Sequence, residues 1–159
     1  MRVGFGYDIH QLKAGRPCIL GGVHIESELG PDGHSDADVL IHALMDAMLG
    51  AAGLRDIGYY FPPEDDQYKG ISSMILLKHV NSLLKERGLE AYNIDIMVIS
   101  ETPKLKPHID TMKANLQSVL EIPLDRISIK ATTNEMLGAI GRREGIAAQA
   151  VVSVYEGEV

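Results

Sequence analysis

Asp8 and His10, near the start of the chain, and His42 further along carry the side chains that most strongly suggest chemistry. One carboxylate and two imidazoles form a three-ligand set that leaves a zinc ion one open position for a substrate oxygen. Asp8 and His10 are two residues apart, so on an extended strand they point to the same face. An acidic chain with six histidines contains many such trios. A packed or hydrogen-bonded His42 on a helix is therefore the alternative to a metal ligand.

The composition excludes several classes of function. With 159 residues, 45% hydrophobic and 23% charged, the chain suits one domain, residues 1–159, with a sizeable core. A net charge of −7 without a basic run argues against nucleic acid, and no apolar run is long enough to cross a membrane. The first residues predict a strand rather than a signal peptide, and the single Cys18, interpreted as a small buried strand residue, fits a reducing compartment. We therefore expect a cytoplasmic protein that binds neither nucleic acid nor membrane.

The first strands are predicted from their glycines and short apolar runs. Residues 1–10 are strand-like, and Gly4 and Gly6 permit close approach of a neighbouring backbone. Residues 18–25 indicate two short strands around a glycine turn. The start of the chain therefore predicts a strand and a hairpin.

The first helix is predicted to carry His42. It runs from about Asp36 to Ala52, with Ser35 as its N-cap and Asp38 completing an approximate capping box. The stretch 54–70 that follows is long and irregular, which is typical of lids and binding segments. A strand and a helix would then meet at the metal.

The second half alternates helices and strands. Helices are predicted at 72–87 and from Pro107 to before Pro123, and strands at 92–100, 126–133 and 145–156, with a glycine-punctuated loop at 134–143. This order favours an α+β sandwich, a mixed β-sheet with helices on one face in a ferredoxin-like arrangement. The last strand carries a small apolar face that suits either the chain's own core or a subunit interface. Its members are Ile146, Ala148, Ala150 and Val152.

An ordered set of short motifs fills the chain. They are Arg2–His10, Leu20–Val23, His34–Val39 with His42–Leu44, Asp46–Ala47, Gly50–Ala52, Asp56–Gly58, Phe61–Pro62, Pro103–Lys104, Lys130–Thr133 with Glu135, Leu137–Gly138 and Gly145–Ala147. In this order they resemble the 2-C-methyl-D-erythritol 2,4-cyclodiphosphate synthase family over essentially the whole length.

The resemblance implies a reaction of non-mevalonate isoprenoid biosynthesis. The family converts 4-diphosphocytidyl-2-C-methyl-D-erythritol 2-phosphate to the cyclic diphosphate. In this reaction the 2-phosphate attacks the β-phosphorus and expels CMP. Such a phosphoryl transfer depends on positioning and charge neutralisation rather than on a protein nucleophile. An acidic protein must take that neutralisation from metal ions, which gives the triad a role.

By resemblance, Asp8, His10 and His42 hold zinc, and Glu135 holds a second divalent ion, magnesium or manganese. The alternative for Glu135 is a solvated loop carboxylate. His34 and Thr133 correspond to catalytic residues that stabilise the transition state through phosphoryl oxygens.

Further residues correspond to the family's substrate site. Ser35 would bind phosphate in front of a helix N-terminus. The family's segments that contact the ribose and the erythritol phosphate of the substrate correspond to Asp56, Ile57, Gly58, Phe61, Pro62, Pro63, Glu64 and Asp65. The cytidine and diphosphate pocket corresponds to Ser100, Glu101, Thr102, Pro103, Lys104, Leu105, Lys106, Thr132, Thr133, Asn134, Glu135 and Ala139, with Arg142 beside a central channel. Asp46, one turn after His42, would accept the other imidazole N–H and fix its tautomer, or is a surface carboxylate.

Two positions depart from the family's usual pattern, and the assembly follows from resemblance alone. Asn134 stands where a threonine is common and Ala139 where an aromatic is common, so the pocket wall is reshaped there. The family forms homotrimers with active sites shared between subunits, and an isoprenoid diphosphate is suspected in the central channel near Arg142. An interface salt bridge is the alternative for Arg142.

Two other classes of function use the same residues. A metal-dependent phosphoesterase would activate water with the triad and release a linear product. A non-catalytic trimer would bind nucleotides or isoprenoid diphosphates without turnover.

Overall fold

The computed structural model describes residues 1–157 and contains two sheets and a layer of helices. The strands are β1 (Arg2–Ala14), β2 (Cys18–Leu20), β3 (Val23–Ile25), β4 (Leu29–Asp32), β5 (Leu89–Ile99), β6 (Ile127–Thr132) and β7 (Gly145–Glu156). The helices are α1 (Val39–Ala52), α2 (Ile57–Tyr60), α3 (Ser73–Lys85), α4 (Ile109–Leu120) and α5 (Gly138–Gly141). No helix in this part of the chain has the length and apolar character needed to cross a membrane.

The main sheet is mixed, as predicted, in the order β4-β1-β7-β5-β6. Within residues 1–157 only β5 and β6 pair in parallel, and α4 connects them as in a βαβ unit. Strands β1 and β5 both lie antiparallel to β7, which separates them. The predicted ferredoxin-like arrangement therefore describes β1 and β5, which have β7 between them. It does not describe β5 and β6, because a ferredoxin-like sheet would also place a strand between these two.

Helix α1 is the centre of the core. It packs on β1, β7 and β5 on one side and on α3 on the other, so nearly every residue of α1 is buried rather than a single stripe. The small residues Ile146, Ala148, Ala150 and Val152 of β7 face this helix layer and are buried in the chain's own core.

The opposite face of the sheet presents an exposed apolar row. In β1 the residues alternate, so that Gly4, Gly6 and Leu12 face the helices while the odd-numbered residues face outwards. The members of this outer row are Val3, Phe5, Tyr7, Ile9 and, from β7, Val151.

Candidate active site

Asp8, His10 and His42 converge, as the sequence predicted. His10 Nε2 lies 2.8 Å from Asp8 Oδ2, and His42 Nδ1 lies 3.1 Å from both of these atoms. One ligand atom from each residue falls within 4.8 Å of the others. All three side chains are largely removed from solvent. This donor set, one carboxylate and two imidazole nitrogens aimed at one point, fits a divalent metal ion.

Glycines in β1 bring the strand and helix close enough for this convergence. A Cβ at Gly4 would lie 1.9 Å from the carbonyl oxygen of Ala47, and one at Gly6 the same distance from that of Ala43. The backbones of β1 and α1 therefore touch, as predicted for these glycines. His42, next to Ala43, reaches Asp8 and His10 because of this contact.

The second ring nitrogen of each histidine has its own partner. His10 Nδ1 is 2.9 Å from the carbonyl oxygen of Asp32 in β4, and since a carbonyl only accepts, Nδ1 carries the proton and donates. His10 Nε2 is thereby directed to the centre. His42 Nε2 faces two hydroxyl oxygens, Ser35 Oγ at 3.1 Å and Ser73 Oγ at 3.0 Å. Such outer partners orient metal-binding imidazoles.

The charges of the triad favour an ionised carboxylate. Burial opposes the charge of Asp8, but the hydrogen bonds and charges of His10 and His42 outweigh it and lower the pKa of Asp8 to about 2. Burial also opposes a charged His10, yet the hydrogen bond and charge of Asp8 raise the pKa of His10 above its ordinary value. A bound metal ion would take the place of the proton that these groups share.

A cavity of about 260 Å³ opens in front of the triad. His34 lines it and its Nε2 lies 3.2 Å from the carbonyl oxygen of Asp65. The remaining lining residues include Ser35, Ile57, Gly58, Phe61 and Pro63, all of them predicted, and Tyr68 and Leu76, which were not. The structure thus brings the predicted catalytic histidine and the 57–63 segment to the metal centre.

The predicted N-cap of α1 was wrong. The helix begins at Val39 and its cap is Asp38, whose carboxylate accepts from the backbone N–H groups of Gly21, Gly22 and Ile41. Asp38 is fully buried, and burial raises its pKa to about 6 despite these donors. Ser35 instead accepts from the Ala37 N–H and contacts His42. Its hydroxyl thus belongs to the metal centre and not to the first turn of α1.

The predicted role of Asp46 was also wrong. Its Oδ1 accepts from the Ile57 N–H at 2.8 Å and so fixes the start of α2. The hydroxyls of Ser35 and Ser73 occupy the position at His42 Nε2 that Asp46 was expected to fill. The contact of Ser73 with His42 could not be predicted from local sequence, because α3 lies in a distant part of the chain.

A second cavity, of about 320 Å³, lies where the parallel strands β5 and β6 end. Adjacent parallel strands bring the segments that follow them to the same edge of a sheet, which is a common ligand position. The lining residues are Val98, Ser100, Glu101, Pro103, Lys104, Leu105, Lys106, Ala131, Thr132 and Thr133. The two predicted pocket segments therefore do come together, and in this chain their cavity shares no lining residue with the metal centre.

Glu101 shapes the loop that carries Glu135. Its Oε1 accepts from the N–H groups of Asn134 and Met136, while Thr133 Oγ1 accepts from the Glu135 N–H. Glu135 has a φ of 50°, and its side chain is exposed at the surface. Glu101 was predicted to contact substrate, and in the structure its side chain stabilises the loop that carries Glu135.

Known proteins match this chain over most of its length. The family model described as "YgbB family" matches residues 1–155. The chain belongs to the YgbB family. A relative from Synechococcus elongatus, named 2-C-methyl-D-erythritol 2,4-cyclodiphosphate synthase, is 60% identical over 150 residues, 94% of either chain. A relative of the same name from Halothermothrix orenii is 56% identical over 156 residues, 98% of this chain and 94% of its own.

Solved structures with similar folds include nucleotide complexes. A 2C-methyl-D-erythritol-2,4-cyclodiphosphate synthase in its CDP-bound form is 37% identical, with a TM-score of 0.89 over 97% of this chain and 100% of that one. The Plasmodium falciparum IspF CDP complex is 34% identical, with a TM-score of 0.86 over 99% and 97% of the two chains. The resemblance drawn from the sequence motifs is therefore confirmed.

Other predicted residues of this YgbB-family protein are absent from the linings of the two cavities in the described structure. Asp56 caps α2 by accepting from the Tyr59 N–H. Exposed Arg142 forms an ion pair with Glu144 at 2.7 Å. Substrate contacts at these residues, and at Pro62, Glu64, Asp65, Thr102, Asn134 and Ala139, stay predictions.

Proposed function

We propose that this protein converts 4-diphosphocytidyl-2-C-methyl-D-erythritol 2-phosphate to 2-C-methyl-D-erythritol 2,4-cyclodiphosphate and CMP. An oxygen of the 2-phosphate forms a bond to the β-phosphorus, and the bond from that phosphorus to the bridging oxygen breaks, so that CMP leaves. The bond count balances without water. The observation that carries this proposal is the Asp8, His10 and His42 centre at the floor of a cavity in a chain of this family.

The metal we assign to the triad is zinc. Two imidazoles and one carboxylate are a common zinc set that leaves an open coordination position. When bound, the ion would supply a positive charge that polarises a phosphoryl oxygen. To His34, in the wall of the same cavity, we assign donation to phosphoryl oxygens, and to Ser35, which also lines this cavity, a phosphate contact.

The nucleotide half is assigned to the second cavity. Backbone groups and short side chains between Ser100 and Lys106 suit the edge of a pyrimidine ring. Thr133 at its margin is the second residue we assign to transition-state stabilisation. The exposed carboxylate of Glu135 would hold magnesium or manganese together with substrate phosphates, because such ions prefer oxygen ligands and keep several waters.

We assign the complete site to the junction of two subunits in a homotrimer. Within one chain the metal centre and the second cavity have separate linings, and a substrate with both a nucleotide and an erythritol phosphate must reach both. The exposed row Val3, Phe5, Tyr7 and Ile9 is apolar surface of the kind that subunits cover. We further propose that Arg142 binds an isoprenoid diphosphate in the central channel of this trimer. The compartment that we propose for the enzyme is the cytoplasm.

Phosphorus NMR of the reaction mixture tests the proposal. The chain, the substrate and magnesium should give CMP and a cyclic diphosphate, and His42→Ala should give neither while keeping its circular dichroism spectrum. A linear bisphosphate product, formed by attack of water in place of the 2-phosphate, would identify a phosphoesterase instead. Tight CMP binding without any new phosphorus resonance would identify a binding protein.

A further inference from the structure

We propose that Asp36 and Ser73 are positioning residues that hold the proton of His42 on Nε2, so that the Nδ1 lone pair faces Asp8 and His10. This inference rests on the metal site of the proposed function. Both residues lie outside the ligand set: Asp36 is in the loop before α1, and Ser73 is the first residue of α3 and fully buried.

The direction of the hydrogen bonds follows from Asp36. Its Oδ2 accepts from the Ser73 N–H at 2.9 Å, and its Oδ1 accepts from the Asp38 N–H at 3.2 Å and from the Ser73 hydroxyl. A carboxylate surrounded by donors is an acceptor only. The single hydroxyl proton of Ser73 is therefore used on Asp36.

Ser73 then has only lone pairs for His42. Its Oγ lies 3.0 Å from His42 Nε2, and an acceptor at that distance favours an N–H on Nε2. A neutral imidazole has one N–H, so Nδ1 is left as a lone pair. The Ser35 oxygen accepts from the Ala37 N–H and lies 3.1 Å from the same nitrogen, where its second lone pair can also accept.

The group that opposes this tautomer is Asp8. Its Oδ2 is 3.1 Å from His42 Nδ1 and would attract a proton there, but it lies closer to His10 Nε2, at 2.8 Å. The Ser73 oxygen, in contrast, has His42 as its only possible donor among the hydrogen bonds of the described residues. The chain from Asp36 through Ser73 thus prepares His42 as a ligand before any metal arrives.

Zinc affinity, measured by competition with a chromogenic chelator, tests this role separately from turnover. Ser73→Ala removes the oxygen that accepts from His42 Nε2. Asp36→Asn replaces the carboxylate that accepts the Ser73 hydroxyl proton by an amide. Each should weaken zinc binding by roughly 10- to 100-fold, as is usual for such outer partners. Ser72→Ala is the matched control, because Ser72 caps the same helix from an exposed position. It should change the affinity less than about twofold.

The second measurement is ¹⁵N NMR of the histidine rings in the metal-free wild-type protein at pH 8. The proton of His42 is expected on Nε2, and in Ser73→Ala a mixture of tautomers is expected. A proton on Nδ1 in the wild type, or wild-type zinc affinity in both variants, would overturn the proposal. A wild-type chain that shows the Nε2 tautomer but yields no cyclic product would contradict the proposed reaction and leave this inference standing.

Discussion

Replacing Gly6 by alanine tests how the fold builds the metal centre. The new Cβ would lie 1.9 Å from the Ala43 carbonyl oxygen, and contact becomes ordinary only at 3.4 Å, so β1 and α1 must separate by about 1.5 Å. Because the obstacle is helix backbone, no side-chain rotation relieves it. We expect a loss of at least about 3 kcal/mol in the free energy of unfolding, the upper end for overpacked cores. The shift also moves His42 away from Asp8, so zinc affinity should fall.

Urea denaturation followed by circular dichroism measures the first effect, and chelator competition measures the second. Gly50→Ala is the control: the new Cβ would have the Phe5 carbonyl oxygen as its nearest neighbour at 3.9 Å, and Gly50 is an exposed residue of the same helix. It should gain about 0.5–1 kcal/mol from helix propensity. Wild-type stability and zinc affinity in Gly6→Ala would refute the idea that glycine contacts set the distance between strand and helix.

The remaining predictions concern the charges, the second metal and the shared site. Since the pKa of Asp8 is lowered from 3.8 to about 2, its stabilisation is present above pH 3.8 and is lost as the pH falls through 2. In chelator, the wild type should lose roughly 2 kcal/mol of unfolding free energy over that range that Asp8→Asn does not lose; parallel pH profiles would contradict this. Glu135→Gln should weaken the magnesium dependence of turnover with unchanged zinc content, and an unaltered magnesium titration would make Glu135 a loop carboxylate. Co-expressed His42→Ala and Glu135→Gln chains should recover part of the activity that each lacks alone, because some junctions then join two intact halves; mixed trimers confirmed by mass spectrometry but inactive would rule out the shared site.

The elements with a clear local pattern could be predicted from the sequence. The strand carrying Asp8 and His10, the Cys18 hairpin and the last strand, Gly145–Glu156, were confirmed. Period-two alternation placed Asp8 and His10 on one face, and the glycines correctly indicated backbone contact. These features depend on neighbours in sequence, which is why the sequence alone was sufficient.

The features that depend on distant residues were missed. Ser35 and Asp38 are both good cap residues, but the carboxylate of Asp38 also accepts from the N–H groups of Gly21 and Gly22, which are distant in sequence. Strand β4 (Leu29–Asp32) was not predicted; it contains Pro31, which is tolerated because β4 lies at the sheet edge. That strand supplies the carbonyl that orients His10.

The source of oxygen in the products tests the central claim, that one phosphate of the substrate attacks the other. The reaction is run in water enriched in ¹⁸O, and the masses of CMP and of the erythritol product are measured by mass spectrometry. Cyclisation uses only oxygen atoms already in the substrate, so we expect both products to keep the masses found in ordinary water. One ¹⁸O atom in either product at a stoichiometric level would mean that the metal centre activates water, and the account of this protein as a cyclising enzyme would be contradicted.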